Sequence, residues 1–148
     1  MPGVPERVEG EMAASVALVA NDEAACRARV CLRAFLDGVR SRSELTEWLA
    51  TPYVVGDAEV VVSELVTNAV EHGRSPVHMR LGLEGGGLRI EVADASAVVP
   101  HLPPPDLQRE TGRGLRLVAA LSRTWGTTST DEGKFVWAIM GGTAGGSW

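Results

Sequence analysis

Apolar residues recur every three or four positions in two long stretches of the chain and fall into short alternating or clustered runs elsewhere. The first long stretch carries Ala25, Ala28, Leu32, Phe35, Leu36 and Val39 on one helical face, which predicts an amphipathic helix reaching about Gly38. Asn21 and Asp22 stand before it as capping residues, and Glu23 places acid in its first turn. The second stretch carries Ala58, Val61, Val62, Leu65, Val66 and Ala69, which predicts a helix from about Asp57 to His72 with Gly73 as its stop. Glu59, Ser63, Thr67 and Glu71 fall on the opposite side, toward water. Ahead of both helices, residues 15–20 form a short apolar run that reads as a strand. Residues 41–50 read as a short helix ended by Thr51-Pro52.

After Gly73 the period shortens. Residues 77–83 and 88–93 are strand-like, and Glu84-Gly85-Gly86-Gly87 between them is a hairpin signal. From 96 to 111 the pattern dissolves around Pro100, Pro103, Pro104 and Pro105. A loop of this length in a compact domain is usually a lid or other functional segment. Residues 114–122 return to helical spacing, and residues 123–130 and 134–140 predict a closing hairpin around Asp131-Glu132-Gly133. Residues 1–12 read as a loose tail, 13–140 as one folded domain and 141–148 as a Gly-rich flexible tail. This order of elements predicts an α+β two-layer sandwich, with helices packed on one face of a mixed, mostly antiparallel sheet.

Composition narrows the partners more than the fold. The chain has 148 residues, 45% hydrophobic and 22% charged, an ordinary globular balance. Its net charge of -5 argues against direct nucleic-acid binding, which favours a basic surface. Met-Pro-Gly-Val-Pro-Glu-Arg lacks the apolar core of a signal peptide, and no stretch approaches the roughly 20 apolar residues of a membrane span. A cytoplasmic protein is expected. Cys26 and Cys31 are five positions apart, so on a helix they point away from each other and are expected to stay reduced.

The chemistry concentrates on the second helix. Glu64, Asn68 and His72 are spaced i, i+4, i+8 and climb the border between its apolar and polar faces. An amide oxygen such as that of Asn68 is a hard ligand suited to Mg²⁺, and Glu64 one turn away is suited to accept a proton. Spacing alone favours the plainer reading of the three as boundary residues of an ordinary amphipathic helix, and His72 beside Gly73 is more often a favourable charge at a helix end than a ligand. Thr111-Gly112-Arg113-Gly114-Leu115 sits where the proline-rich loop meets a helix. Its glycines admit close backbone approach and its free amides favour phosphate, though a plain flexible turn has the same composition. Asp94, ending a strand, can accept a hydrogen bond from an exocyclic amine, or simply initiate a turn.

The order and spacing of these groups are more telling than any one of them. Glu64-x-x-x-Asn68-Ala69-x-x-His72-Gly73, then Asp94-x-Ser96-x-x-x-Pro100, then Gly112-x-Gly114-Leu115 resembles the motif series of the GHKL ATPase superfamily. The closest likeness is to its small stand-alone branch of bacterial anti-sigma-factor serine/threonine kinases and related ATP-binding regulators. It extends from about Ser15 to Met140 and includes Trp125-Gly126 and Gly133-Lys134-x-Val136-Trp137. The resemblance implies ATP and Mg²⁺ as cofactors, with Asn68 binding the metal, Glu64 as general base and Asp94 recognising adenine. Gly112, Gly114 and Leu115, with Arg113 adding charge, would enclose the phosphates. It implies a kinase that phosphorylates an antagonist protein and sequesters a sigma factor, with a homodimer common among relatives and no dimerising phospho-acceptor domain for a self-contained histidine kinase. Two positions depart from the pattern. Ser96 stands where many relatives have glycine, and Lys134 follows Gly133 where many have threonine; a lysine cannot accept a hydrogen bond. These departures leave a non-catalytic ATP-binding regulator as the alternative.

Overall fold

The computed structural model describes residues 13–41, 51, 53–72, 76–94, 110–130 and 133–141. The elements run β1 (Ala13–Leu18), α1 (Ala24–Ser41), α2 (Val54–His72), β2 (Val77–Glu84), β3 (Gly87–Asp94), α3 (Glu110–Leu121), β4 (Thr124–Thr130) and β5 (Gly133–Gly141). Residues 1–12 and 142–148 of the tails, 42–50 of the expected short helix and 96–109 of the lid, with Pro52, Gly73 and Asp131-Glu132, lie outside the described residues; Gly141, expected in the tail, ends β5. The sheet has the order β1-β2-β3-β5-β4. Every described pair is antiparallel, as the mostly antiparallel sheet expected from the sequence requires, with no parallel pair among the described strands.

Opposed residues of an antiparallel ladder share a face, so the register sorts the sheet into two sides. Val77, Met79, Leu81 and Leu83 of β2 lie with Leu88, Ile90 and Val92 of β3 and with Val136, Ala138 and Met140 of β5. These residues form one core with the apolar stripes of α1 and α2. The helices therefore cover this side, as the two-layer sandwich requires.

The outer side differs from the simple alternation that the sequence offers. Glu91 points there yet is only 2% exposed. Its Oε2 accepts a hydrogen bond from Arg89 Nε at 2.5 Å, and Arg80 Nε lies 3.9 Å from Oε1. The Arg89 guanidinium also stacks 5.3 Å from the centre of the Trp137 ring, a cation–π contact. Trp137 in turn lies over its cross-strand partner Gly126, where an added Cβ would come within 2.7 Å of the ring. The Trp125-Gly126 and Val136-Trp137 segments thus meet because a glycine leaves room for an indole.

Element boundaries shift for local reasons. β1 begins and ends two residues before the expected run, leaving Val19 exposed beyond it. The Asn21 side chain accepts a hydrogen bond from Glu23 N at 2.9 Å, and Ala24 takes the buried place expected of Ala25. α1 continues past Gly38 because Val39 is fully buried; that burial outweighs a glycine penalty of about 1 kcal/mol. α2 starts at Val54 rather than Asp57. Tyr53, at φ 73°, turns the chain into it, and its carbonyl accepts the Asp57 N–H at 2.9 Å.

All six residues of the expected α2 stripe are buried. Its other side is shared between water and α1. Arg33 Nε donates to Glu59 Oε2 at 2.7 Å, and Arg29 Nη1 donates to Ser63 Oγ at 2.8 Å, so of the four residues expected to face water Glu59 and Ser63 are half-buried while Thr67 and Glu71 are exposed. The Arg33 hydrogen bond holds the Glu59 carboxyl below its usual range.

Two outcomes are expected. Because the folded Glu59 value is depressed, its stabilisation is present above the ordinary carboxylate range and is lost as pH falls through the folded value. The gap in melting temperature between the wild type and Glu59→Gln should therefore be open at neutral pH and close in acid. In the β2–β3 hairpin, Gly85 and Gly86 have φ 58° and 83°, as a two-residue primed turn demands. Gly87 is needed for a different reason, since an added Cβ would fall on the backbone of Met140 and Gly141. Gly87→Ala should destabilise by about 1–3 kcal/mol in denaturant titration. Gly56→Ala, on an open part of α2 with nothing within 4 Å, should stabilise by about 0.4–1 kcal/mol.

Candidate functional site

The candidate residues lie on three elements that touch. α2 packs across β2, β3 and β5 on one side and against α3 on another. Its apolar face fixes its rotation, because Val61, Val62, Leu65, Val66 and Ala69 must all enter the core. That rotation sets the border residues in place. Glu64 is half-buried, and Asn68, one turn further on, is only 4% exposed.

Asn68 is one of a few residues with a buried side-chain polar atom that makes no hydrogen bond among the described residues, and the one of them on the polar border of α2. Its Oδ1 is buried and has no hydrogen-bond partner among the described residues. Leaving such a group unsatisfied costs about 1–3 kcal/mol, and folded proteins rarely tolerate it without a purpose. The oxygen is of the hard, neutral kind that Mg²⁺ accepts. Among the described residues no group of three or more His, Cys, Asp and Glu forms a metal cage. A single amide ligand still fits magnesium, which keeps several waters and takes further oxygens from phosphates. The residue at position 68 therefore passes a test that a solvated boundary asparagine would fail. The side chain of His72, which ends α2, lies outside the described residues.

Asp94 is the last residue of β3 and shares the helix-facing side with Ile90 and Val92, at 9% exposure. Its register partner on β5 is Lys134, the position singled out in the sequence. The strand thus delivers a carboxylate to the end of the core, beneath the helix layer.

On α3 the structure corrects the expected start at Gly114. The helix begins at Glu110, so it takes in Thr111, Gly112, Arg113 and Gly114. Two glycines, each worth about 1 kcal/mol against a helix, hid this start in the sequence. The amide of Gly112 stays among the free donors at the helix start, while that of Gly114 enters the helical ladder. Leu115 is 2% exposed and serves as an anchor for this end of α3. The side chain of Arg113 lies outside the described residues.

Sequence reasoning missed the Arg80–Glu91–Arg89 group, because Glu91 in an alternating strand reads as solvent-facing. Only the register, which sets Arg80 and Trp137 on either side of it, shows otherwise. No described helix is long and apolar enough to cross a membrane. Cys26 and Cys31 are both free thiols.

The wider likenesses agree with this arrangement. Residues 18–140 match the family model of the histidine kinase-like ATPase domain. Sequence comparison with curated proteins finds no match. Among solved structures, the chain resembles the crystal structure of the RsbU and RsbW domains of Rv1364c from Mycobacterium tuberculosis. The identity is 21% and the TM-score 0.61, over 87% of this chain and 32% of that one. It also matches the histidine kinase domain of the blue-light activated histidine kinase EL346 from Erythrobacter litoralis, at 26% identity and a TM-score of 0.44. That match covers 58% of this chain and 46% of the other. The chain thus spans about a third of the first protein and under half of the second. The first likeness supports the three-helix, antiparallel-sheet fold, and the family match extends across nearly all of that fold: the chain belongs to the histidine kinase-like ATPase domain family.

Proposed function

We propose that the chain is an ATP-binding regulatory protein of the anti-sigma-factor type, a serine/threonine kinase that transfers the γ-phosphate of Mg-ATP to an antagonist protein. The observation that carries this reading is the buried Oδ1 of Asn68, without a hydrogen-bond partner among the described residues, with Glu64 one turn away on the same helix of an ATPase-family domain. The fold likeness to a protein whose solved portion includes an RsbW domain supports the regulatory branch.

In this reading Asn68 would hold Mg²⁺, which supplies charge neutralisation for the phosphates. Asp94 accepts a hydrogen bond from the adenine amine. The start of α3 would offer the free amide of Gly112 to the phosphates, with Gly114 leaving room, Arg113 adding charge and Leu115 anchoring the helix. Glu64 orients the attacking hydroxyl of a serine or threonine and takes its proton. The hydroxyl oxygen forms a bond to the γ-phosphorus as the bond to the bridging oxygen breaks, and ADP leaves. Partners would be the antagonist and a sigma factor.

A second reading, a non-catalytic ATP-binding regulator, is favoured by one feature. Lys134 stands directly across the ladder from Asp94. Lysine at this position adds no hydrogen-bond acceptor, where many relatives have a threonine that can supply one.

Two measurements test the proposal. Replacing Asn68 by leucine removes a buried unsatisfied oxygen, so the ligand-free melting temperature should hold or rise, by an amount reflecting about 1–3 kcal/mol. Calorimetric binding of ATP in the presence of Mg²⁺ should fall by at least about tenfold, equivalent to about 1.4 kcal/mol. Unchanged binding would remove Asn68 from the site. Glu64→Gln should keep ATP affinity within about threefold while lowering phosphate transfer to a protein substrate by about 10²–10⁴-fold. Binding without transfer by the wild type, to any candidate antagonist, would favour the second reading.

A further inference from the structure

The helices cover one face of the sheet, and no described element covers the other. Yet part of that helix-free face is as dry as the core. Phe135 is 2% exposed and Ile139 4%, and both alternate with Val136, Ala138 and Met140, so they point away from the helices. Neither belongs to the core cluster. Arg89, stacked on Trp137, lies across the ladder from Ile139 and is large enough to cover much of it. The ladder partners of Phe135 are Ala93, a single methyl, and Thr128, which is itself exposed. Such neighbours would leave a benzyl ring on an open sheet in water. Chain outside the described residues must therefore lie over it.

The cover is narrow. Along β3 and β5 the helix-free face holds the buried Glu91, Phe135 and Ile139. Toward one edge Ser15, Ala17 and His78 are exposed, and toward the other Thr124 and Thr128 are. A second layer of structure would shade those residues as well, whereas one extended segment running along the strands would not. The charges of the face are already matched, Arg80 and Arg89 against Glu84 and Glu91, so the segment needs none of its own.

The end of β5 indicates which segment this is. Gly87 and Gly141 are register partners on the helix-free face, yet an added Cβ at Gly87 would come within 2.8 Å of the Gly141 carbonyl. The main chain at Gly141 therefore bends over that face instead of running on beside β3. Gly141 has φ 69°, a turn conformation, and its carbonyl accepts a hydrogen bond from Arg123 Nε at 2.9 Å. We propose that residues 142–148 fold back along β5 on the helix-free face, with the Trp148 indole seated against Phe135.

Length, charge and side-chain size agree with this path. Phe135 lies six residues before Gly141, about 20 Å along a strand. The seven residues 142–148 reach about 23–25 Å when extended, so position 148 falls near Phe135 once the turn is made. Gly142-Thr143-Ala144-Gly145-Gly146-Ser147-Trp148 carries no charged side chain, and its small residues can pass close over Trp137 and Arg89. Residues 1–12 fit less well. They would have to cross Ala13, Ser15 and Ala17 of β1, all exposed, and they bring Glu6, Arg7, Glu9 and Glu11 to a face whose charges are matched. With residues 142–148 seated, the middle of this face is closed to other proteins, and partner contacts fall to the helix side and the sheet edges.

A paramagnetic label on Ser147→Cys, in a Cys26→Ser, Cys31→Ala background, reads the position of the segment in the full chain. The amides of Ala93, Thr128, Phe135 and Trp137 should be bleached, while those of Val30 and Leu117, exposed on the helix side, should keep their intensity. Weak attenuation spread over the whole chain, or bleaching on the helix side, overturns the proposal. So does bleaching of isotope-labelled chains by spin-labelled ones mixed with them, which makes a second copy the occupant. Trp148→Ala should raise the binding of an apolar fluorescent dye several-fold by uncovering Phe135 and Trp137, and removal of residues 1–12 should leave it unchanged. No rise in Trp148→Ala, or a rise on removing residues 1–12, gives the face a different occupant and overturns the proposal. No nucleotide enters these measurements, so their failure is separate from failure of the ATP-site reading.

Discussion

The burial of one face of α2 between the sheet and its neighbouring helices is the constraint on which the rest of the structure depends. α2 is the helix that touches both other helices and the central strands. Val61, Val62 and Val66 are fully buried and Leu65 nearly so. At about 25 cal/mol per Å² of apolar surface, burying side chains of this size stabilises by about 1.5–3 kcal/mol each. Together they hold the helix against rotation far more firmly than its polar border could. That firmness is what permits an unsatisfied amide oxygen at Asn68. The core supplies the stability and the border residue spends some of it, as functional sites commonly do.

This arrangement explains why the two ends of the motif series differ in clarity. On α2 a period of 3.6 residues and a buried stripe coincide, so the core and the polar border were legible in the sequence. The strands β2 and β3 were legible for the same reason, with Gly85 and Gly86 marking the turn between them. Other features depend on residues distant in the chain. α2 begins three residues early through the left-handed Tyr53, which no local pattern announces. α3 absorbs two glycines that ordinarily end or delay a helix. Glu59 and Ser63 look solvent-facing until α1 brings Arg33 and Arg29 to them.

The candidate site was legible as an order of residue types, and the structure adds what spacing could not. A boundary asparagine that faced water would satisfy the same helical period. Its burial, without a hydrogen bond among the described residues, distinguishes the two cases. The register adds a second point, since Asp94 and Lys134 stand far apart in sequence and are direct partners across the ladder. Thus the departure from the family pattern at Lys134 lies across the ladder from Asp94, while Glu64 and Asn68 keep the residue types of that pattern on α2.

The central claim is that the Asn68 oxygen is a magnesium ligand in an ATP site. Manganese in place of magnesium makes it directly visible, because the paramagnetic ion broadens nuclear resonances in its neighbourhood. With ATP and Mn²⁺ added, the side-chain amide of Asn68 should lose its signal before any other asparagine or backbone amide, and Tyr53, at the other end of α2, should keep its own. An Asn68 signal that survives while another part of the chain is bleached would contradict the account.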